Sequence, residues 1–152
     1  LALTDIPLMD MQLSAVAGGP VMLNGDALPP VNSRTASAWQ VGVGSVGSDD
    51  RQRFPARMRL GLVGALAETE LRPRISGSVG VDLAFVAQGI YQAAVSFSPH
   101  IWDNAAGVCL ARCAGARVTD AVGKPWHMHS VGALLGTPEA HARTLSTMKS
   151  IV

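Results

Sequence analysis

The chain has 152 residues, enough for one domain that hides roughly two thirds of the surface its unfolded form would expose. Hydrophobic residues make up 48% and charged residues 15%, an apolar balance beside the charged share of about 25% in soluble domains, so some apolar surface is expected to meet another chain or a further part of this one. A net charge of +1 excludes the basic excess of a nucleic-acid binder that tracks phosphates, and the short, interrupted apolar runs exclude a membrane-spanning helix.

The opening LALTDIPLMDMQ lacks the basic start and long apolar run of a signal peptide. With Leu rather than Met at position 1, the expectation is that the true N-terminus lies upstream. Residues 13–23, LSAVAGGPVML, read as a strand pair around Gly18, Gly19 and Pro20, and Asn24-Gly25 is a strong turn signal. After a Pro-rich loop at 28–31, residues 38–43 form a candidate buried strand that ends in the small-residue loop Gly44-Ser45-Val46-Gly47. Ser48 and Asp49 offer caps for a helix running to about Glu68, with Pro55 near its first turn and Arg51, Arg53, Arg57 and Arg59 on a solvated face.

A second helix is bounded by Ser78 as N-cap and Gly89 as stop. Residues 90–97 read as a strand. Asp103 opens a third helix to about Cys113, closed by Gly115, whose small residues Ala105, Ala106 and Gly107 permit close packing. Cys109 and Cys113 share one face of it and are poorly aimed for a bridge, so they read as free core thiols in a reducing compartment. Residues 116–119 and 131–135 read as strands, and Thr137-Pro138 begins a final helix. This alternation predicts an α/β layered sandwich of mixed sheet and helices, without internal repeats or linkers.

Asp103 is the residue on which function turns. Its spacing makes it an N-cap whose charge suits the positive end of the helix dipole. The same carboxylate could reach a divalent cation, since Mg²⁺ takes oxygen ligands and often only one or two carboxylates. The run WDNAAGVCLARCAGA at 102–116 resembles the C-terminal signature of the inositol monophosphatase family of Mg²⁺-dependent phosphatases. ISGSVGVDLAFVAQG at 75–89, ARVTDAVGKPW at 116–126, VGALLGTPEAHARTL at 131–145 and DIPLMDMQLSAVAGGPVMLNG at 5–25 are similar to further segments of that family, in the same order.

The resemblance implies the C-terminal portion of the inositol monophosphatase/fructose-bisphosphatase-like fold, with residues 1–152 as a single subdomain and the N-terminal metal-binding portion absent. It implies Asp103 as a catalytic and Mg²⁺-coordinating carboxylate, Gly77, Ser78 and Val79 as lining for the substrate, a small phosphorylated substrate cleaved by metal-activated water, and a homodimer; a cytoplasmic place is expected from the free thiols and the absent signal peptide. The family's other acids come from a Glu-bearing segment and an Asp-Pro-x-Asp-Gly-Thr segment. Asp26, Asp49-Asp50 and Asp5-Ile6-Pro7 reproduce neither.

Inositol-cleaving relatives carry an acid seven residues before the metal aspartate. Here Ser96 stands there as the substrate-binding candidate, able to hydrogen-bond a hydroxyl but without charge, which leaves a sugar, nucleotide or histidinol phosphate open as substrate. Ser45 falls near another substrate position and reads first as a turn residue. His127 and His129 stand two apart on what reads as a strand and could join Zn²⁺, but no third ligand has a completing spacing. Ser130 near His129 lacks the Gly-x-Ser-x-Gly elbow of a serine hydrolase. Two functions therefore compete, a Mg²⁺-dependent phosphomonoesterase and a non-catalytic binding or dimerisation module that keeps the fold.

Overall fold

The computed structural model describes residues 1–33, 38–47 and 53–151. Its first sheet is an antiparallel meander of β1 (Ala2–Ile6), β2 (Met11–Ala15), β3 (Met22–Leu23) and β4 (Asp26–Ala27). Asn24 and Gly25 both take positive φ, 50° and 95°, and so close the two-residue hairpin between β3 and β4 that their sequence demands. The Asn24 side chain ties this hairpin to the β1–β2 turn by accepting from the Gln12 amide and donating to the Asp10 carbonyl.

The second sheet has strand order β6-β5-β7-β9-β8, from β5 (Trp39–Val43), β6 (Leu71–Arg74), β7 (Ala93–Ser96), β8 (Arg117–Thr119) and β9 (Ala133–Gly136). β5 lies parallel to both β6 and β7, while β9 runs antiparallel to β7 and β8. Every residue of β7 and β9 is buried, as expected for strands covered on both faces. β6 reads LRPR and gives no strand signal. Its place at the sheet edge is where Pro73 costs least.

Four helices complete four layers. α1 (Ala56–Ala67) and α4 (Pro138–Ser150) cover one face of the second sheet, where Val41, Val43, Ala93 and Val95 meet Leu62, Leu66, Ala140 and Met148. α2 (Val79–Gln88) and α3 (Ile101–Cys113) cover the other face. Their outer sides meet the first sheet through Ala84, Ala87, Leu110 and Leu13. The order is α, β, α, β, the layered mixed sandwich that the sequence predicts.

The caps of α2 follow the sequence: Ser78 Oγ accepts from the Val81 amide, and Gly89 ends the helix at φ 76°. Thr137 caps α4 in the same way. α1 differs from expectation. It begins at Ala56 with Pro55 in the cap position, and the caps expected at Ser48 and Asp49, with Arg51, lie outside the described residues. Among the described residues no helix is long and apolar enough to cross a membrane.

α2 and α3 approach closely at Gly107, where an added Cβ would stand 2.4 Å from Leu83 Cβ. That neighbour is a Cβ fixed by its own helix and cannot rotate away. Gly107→Ala gains about 1 kcal/mol of helix propensity but overpacks a filled seam, so a net loss of about 1–2 kcal/mol is expected. Thermal unfolding reads this as a Tm lower by roughly 2–8 °C, and an unchanged Tm would show that the seam has room.

His141 on α4 is fully buried, with Nε2 2.9 Å from Thr119 Oγ1. Burial, and secondarily the charge of Arg117, lower its pKa from 6.5 to about 4. Between those values the unfolded chain binds a proton that the native chain refuses. The stability tied to neutral His141 is therefore whole above pH 6.5 and drains as pH falls toward 4. Asp82 on α2 runs the other way: burial raises its pKa from 3.8 to about 6, so the stability linked to its protonated form is lost as pH rises across that window. His141→Gln removes the first contribution and leaves the second. Denaturation at a series of pH values should show the wild type losing more stability than the variant between pH 6.5 and 4.

Candidate functional site

β5, β6 and β7 run parallel and deliver their carboxyl ends to one side of the second sheet. A crevice outside such strand ends is where open α/β sheets bind ligands. The structure has a cleft of about 500 Å³ there. Gly44 and Ser45 follow β5, Gly77 and Ser78 follow β6, and Phe97 and Ser98 follow β7, while the first turns of α2 and α3 bring Val79 and Asp103. Two helix N-termini thus face the same space, and their unpaired amides and dipoles favour an anion.

The wall at 76–80 is built by local hydrogen bonds. Gly77 takes φ 82°, a conformation that glycine adopts without strain. Ser76 Oγ accepts from the Ser78 amide at 3.0 Å and donates to its carbonyl at 3.1 Å, fixing the turn into α2. Asp82, 2% exposed, lies near the Ser76 side chain, and its Oδ1 has no partner among the described residues. The raised pKa of Asp82 follows first from this burial, with the nearby Ser76 hydroxyl acting in the opposite sense.

Asp103 is not the N-cap of α3. The helix opens at Ile101 with His100 in the cap position and no side-chain cap, so Asp103 is its third residue. There the carboxylate still favours the helix dipole, but Oδ2 accepts from Ser98 Oγ at 2.5 Å. Ser98 Oγ also accepts from the His100 amide at 3.2 Å. Asn104 fastens the helix start in a different way, donating to the carbonyls of Ser98 and His100 at 3.0 and 2.9 Å. Asp103 is thereby left part-exposed at the cleft and aimed by one neighbour.

Of the residues singled out in the sequence, Asp103, Gly77, Ser78, Val79 and Ser45 share this cleft. Ser96 does not line it. Ser96 is buried at the end of β7 and its hydroxyl accepts from the Ser98 amide, so it shapes the Ser98 turn from below. Arg59 corrects the sequence reading in the opposite direction. Assigned to a solvated helix face with Arg57, it is 6% exposed and lines the cleft. Nε donates to the Phe54 carbonyl at 2.7 Å and Nη1 to the Ser45 carbonyl at 2.6 Å, with the guanidinium 5.8 Å from the Phe97 ring centre.

His127 and His129 sit in a turn rather than a strand, where His127 Nδ1 accepts from the His129 amide at 3.1 Å. Among the described residues, no group of three or more His, Cys, Asp or Glu side chains could hold a metal ion. Asp103 is the one carboxylate among the described residues of the cleft. The donor set suits a hard, oxygen-seeking cation, but one carboxylate does not hold a cluster of them.

Residues 1–152 match a family model described as the inositol monophosphatase family. The chain is 46% identical over 149 residues to a probable inositol 1-monophosphatase ImpA of Mycobacterium tuberculosis, covering 98% of this chain and 55% of that protein. It is 42% identical over 148 residues to the inositol-1-monophosphatase ImpA of Mycolicibacterium smegmatis, covering 97% and 54%. An inositol monophosphatase structure from Anabaena superposes with a TM-score of 0.82 at 20% identity, over 99% of this chain and 60% of that one, a likeness of fold. The chain spans about half the length of the curated relatives it matches.

Arg59 spans two backbone carbonyls from different loops, which a planar fork can do and a point ammonium cannot. Arg59→Lys is expected to lose about 1–3 kcal/mol of stability, read by urea unfolding. A variant as stable as the wild type would show that a single donor suffices to join Ser45 to Phe54.

Proposed function

The chain belongs to the inositol monophosphatase family, and from that premise we propose that it forms the substrate-facing part of a Mg²⁺-dependent phosphomonoesterase. The observation that carries the reading is the convergence of Asp103 with Gly77, Ser78 and Val79 on one cleft outside three parallel strand ends. Mg²⁺ would neutralise phosphate charge and supply an activated water. In this reading Asp103 gives one oxygen ligand to it, and the remaining carboxylates come from outside the described residues.

The chain's own residues have separate parts. Ser98 holds one carboxylate oxygen of Asp103 by its hydroxyl, leaving the other for a cation. The wall at 77–79 receives the group that bears the phosphate, with backbone amides as its polar contacts. No acid stands there to read sugar hydroxyls, so the substrate is a small phosphorylated polyol, sugar, nucleotide or histidinol rather than inositol phosphate alone. The family resemblance adds a homodimer to this reading, and the free thiols add a cytoplasmic place of action.

The test is phosphate release by the protein carrying these residues, with and without Mg²⁺, across inositol, sugar, nucleotide and histidinol phosphates. Loss of a residue that only supports a metal ligand commonly costs ten- to a hundredfold, so Asp103→Asn is expected to lower Mg²⁺-dependent turnover by at least about a hundredfold without unfolding the chain. Full activity in Asp103→Asn would remove the ligand assignment. A folded protein silent toward the whole panel would favour the binding or dimerisation module.

A further inference from the structure

Cys109 and Cys113 occupy successive turns of α3 on the side away from its contact with Leu83, and neither is in a disulfide. Both are part-buried rather than core residues. They line a groove of about 550 Å³ between α3, the turn at 17–19 of the first sheet, and Trp126. Residues four apart on a helix are surface neighbours, and both cysteines line the same groove. Cys113 Sγ also donates to the Val16 carbonyl at 3.5 Å. Burial first, then the neighbouring Cys109, hold the Cys113 thiol above its ordinary pKa, which disfavours a thiolate nucleophile at neutral pH.

A pair of sulfurs in an open groove selects by softness and by number. Thiolates favour soft cations, whereas Mg²⁺ seeks oxygen. Zn²⁺ takes three or four protein ligands, and no group of three or more candidate ligands occurs among the described residues. A closed-shell monovalent cation is satisfied by two sulfurs in a near-linear arrangement. We propose that Cys109 and Cys113 form a bis-thiolate site for one thiophilic monovalent cation of the Cu(I) class, entered through this groove.

The chemistry balances without a redox step. Each sulfur–metal bond forms as that thiol's proton passes to water, so two protons leave per cation and the metal keeps its oxidation state. The resulting centre carries one negative charge. Arg112 on the same helix lies beside it, with its guanidinium 5.7 Å from the Trp126 ring centre and its Nη2 donating to the Trp126 carbonyl at 3.2 Å. The local cost is the Cys113–Val16 hydrogen bond.

Anaerobic titration of the purified protein with the Cu(I)–bicinchoninate complex tests the site. The expected result is transfer of one Cu(I) per chain with release of two protons, weakening as pH falls and indifferent to excess Mg²⁺. Cys109→Ser and Cys113→Ser should each lower the affinity at least about tenfold, given that even supporting residues of metal sites cost that much, while circular dichroism shows both variants folded. Cys113→Ser keeps a donor for Val16, so its folding is protected. No transfer from bicinchoninate, or unchanged affinity in either single variant, would overturn the proposal.

Discussion

The seam between α2 and α3 is the constraint on which the rest of the molecule depends. Gly107 lets Leu83 approach to a distance no other residue would allow, and both helices are held between two sheets that share no strand. The pair is therefore a rigid middle layer. Because the two helices start at the same edge of the second sheet, fixing their separation also fixes the distance between Ser78 and Asp103 across the cleft. A fold seam and a functional spacing are here one set of contacts.

Much of this layer was legible in the sequence, for local reasons. Ser78 and Gly89 bound α2 by their own chemistry, Asn24-Gly25 dictates a hairpin, and Thr137-Pro138 starts α4. The small residues of α3 announced close packing before any partner was visible. What escaped was set by tertiary context. β6 is a strand because β5 pairs with it, not because LRPR favours extension. Arg59 looked like one cation in a solvated series, and nothing local says that two loops will fold their carbonyls around it. Asp103 looked like a cap because acids before apolar runs usually are. Asn104, buried, fastens the chain entering the helix by donating to two carbonyls, and the acid faces the cleft.

The cleft is assembled by polar groups that act at one remove. Ser96 supports Ser98, Ser98 aims Asp103, and Ser76 holds the turn that carries Gly77 and Ser78. In each link a group held by one neighbour in turn fixes the next, so the cleft wall is positioned by hydrogen bonds made one step behind it. They also give a part to Ser96, which the family resemblance singled out as a substrate position. The position is part of the site's construction, but its hydroxyl is turned to the backbone rather than to the cleft.

α3 divides its circumference among three tasks. Gly107 meets α2, Leu110 and Ala114 meet the first sheet, and Val108 and Ala111 meet the core beneath the second sheet. The remaining stripe carries Cys109 and Cys113 into a groove of their own. Asp103, one turn before Gly107, stands at the end of the α2-facing stripe where the two helices open onto the cleft. Hard oxygen and soft sulfur donors thus sit on one rigid helix at different angles and different heights. Oxygen and sulfur donors prefer different cations, and the seam at Gly107 sets where on the helix each of them stands.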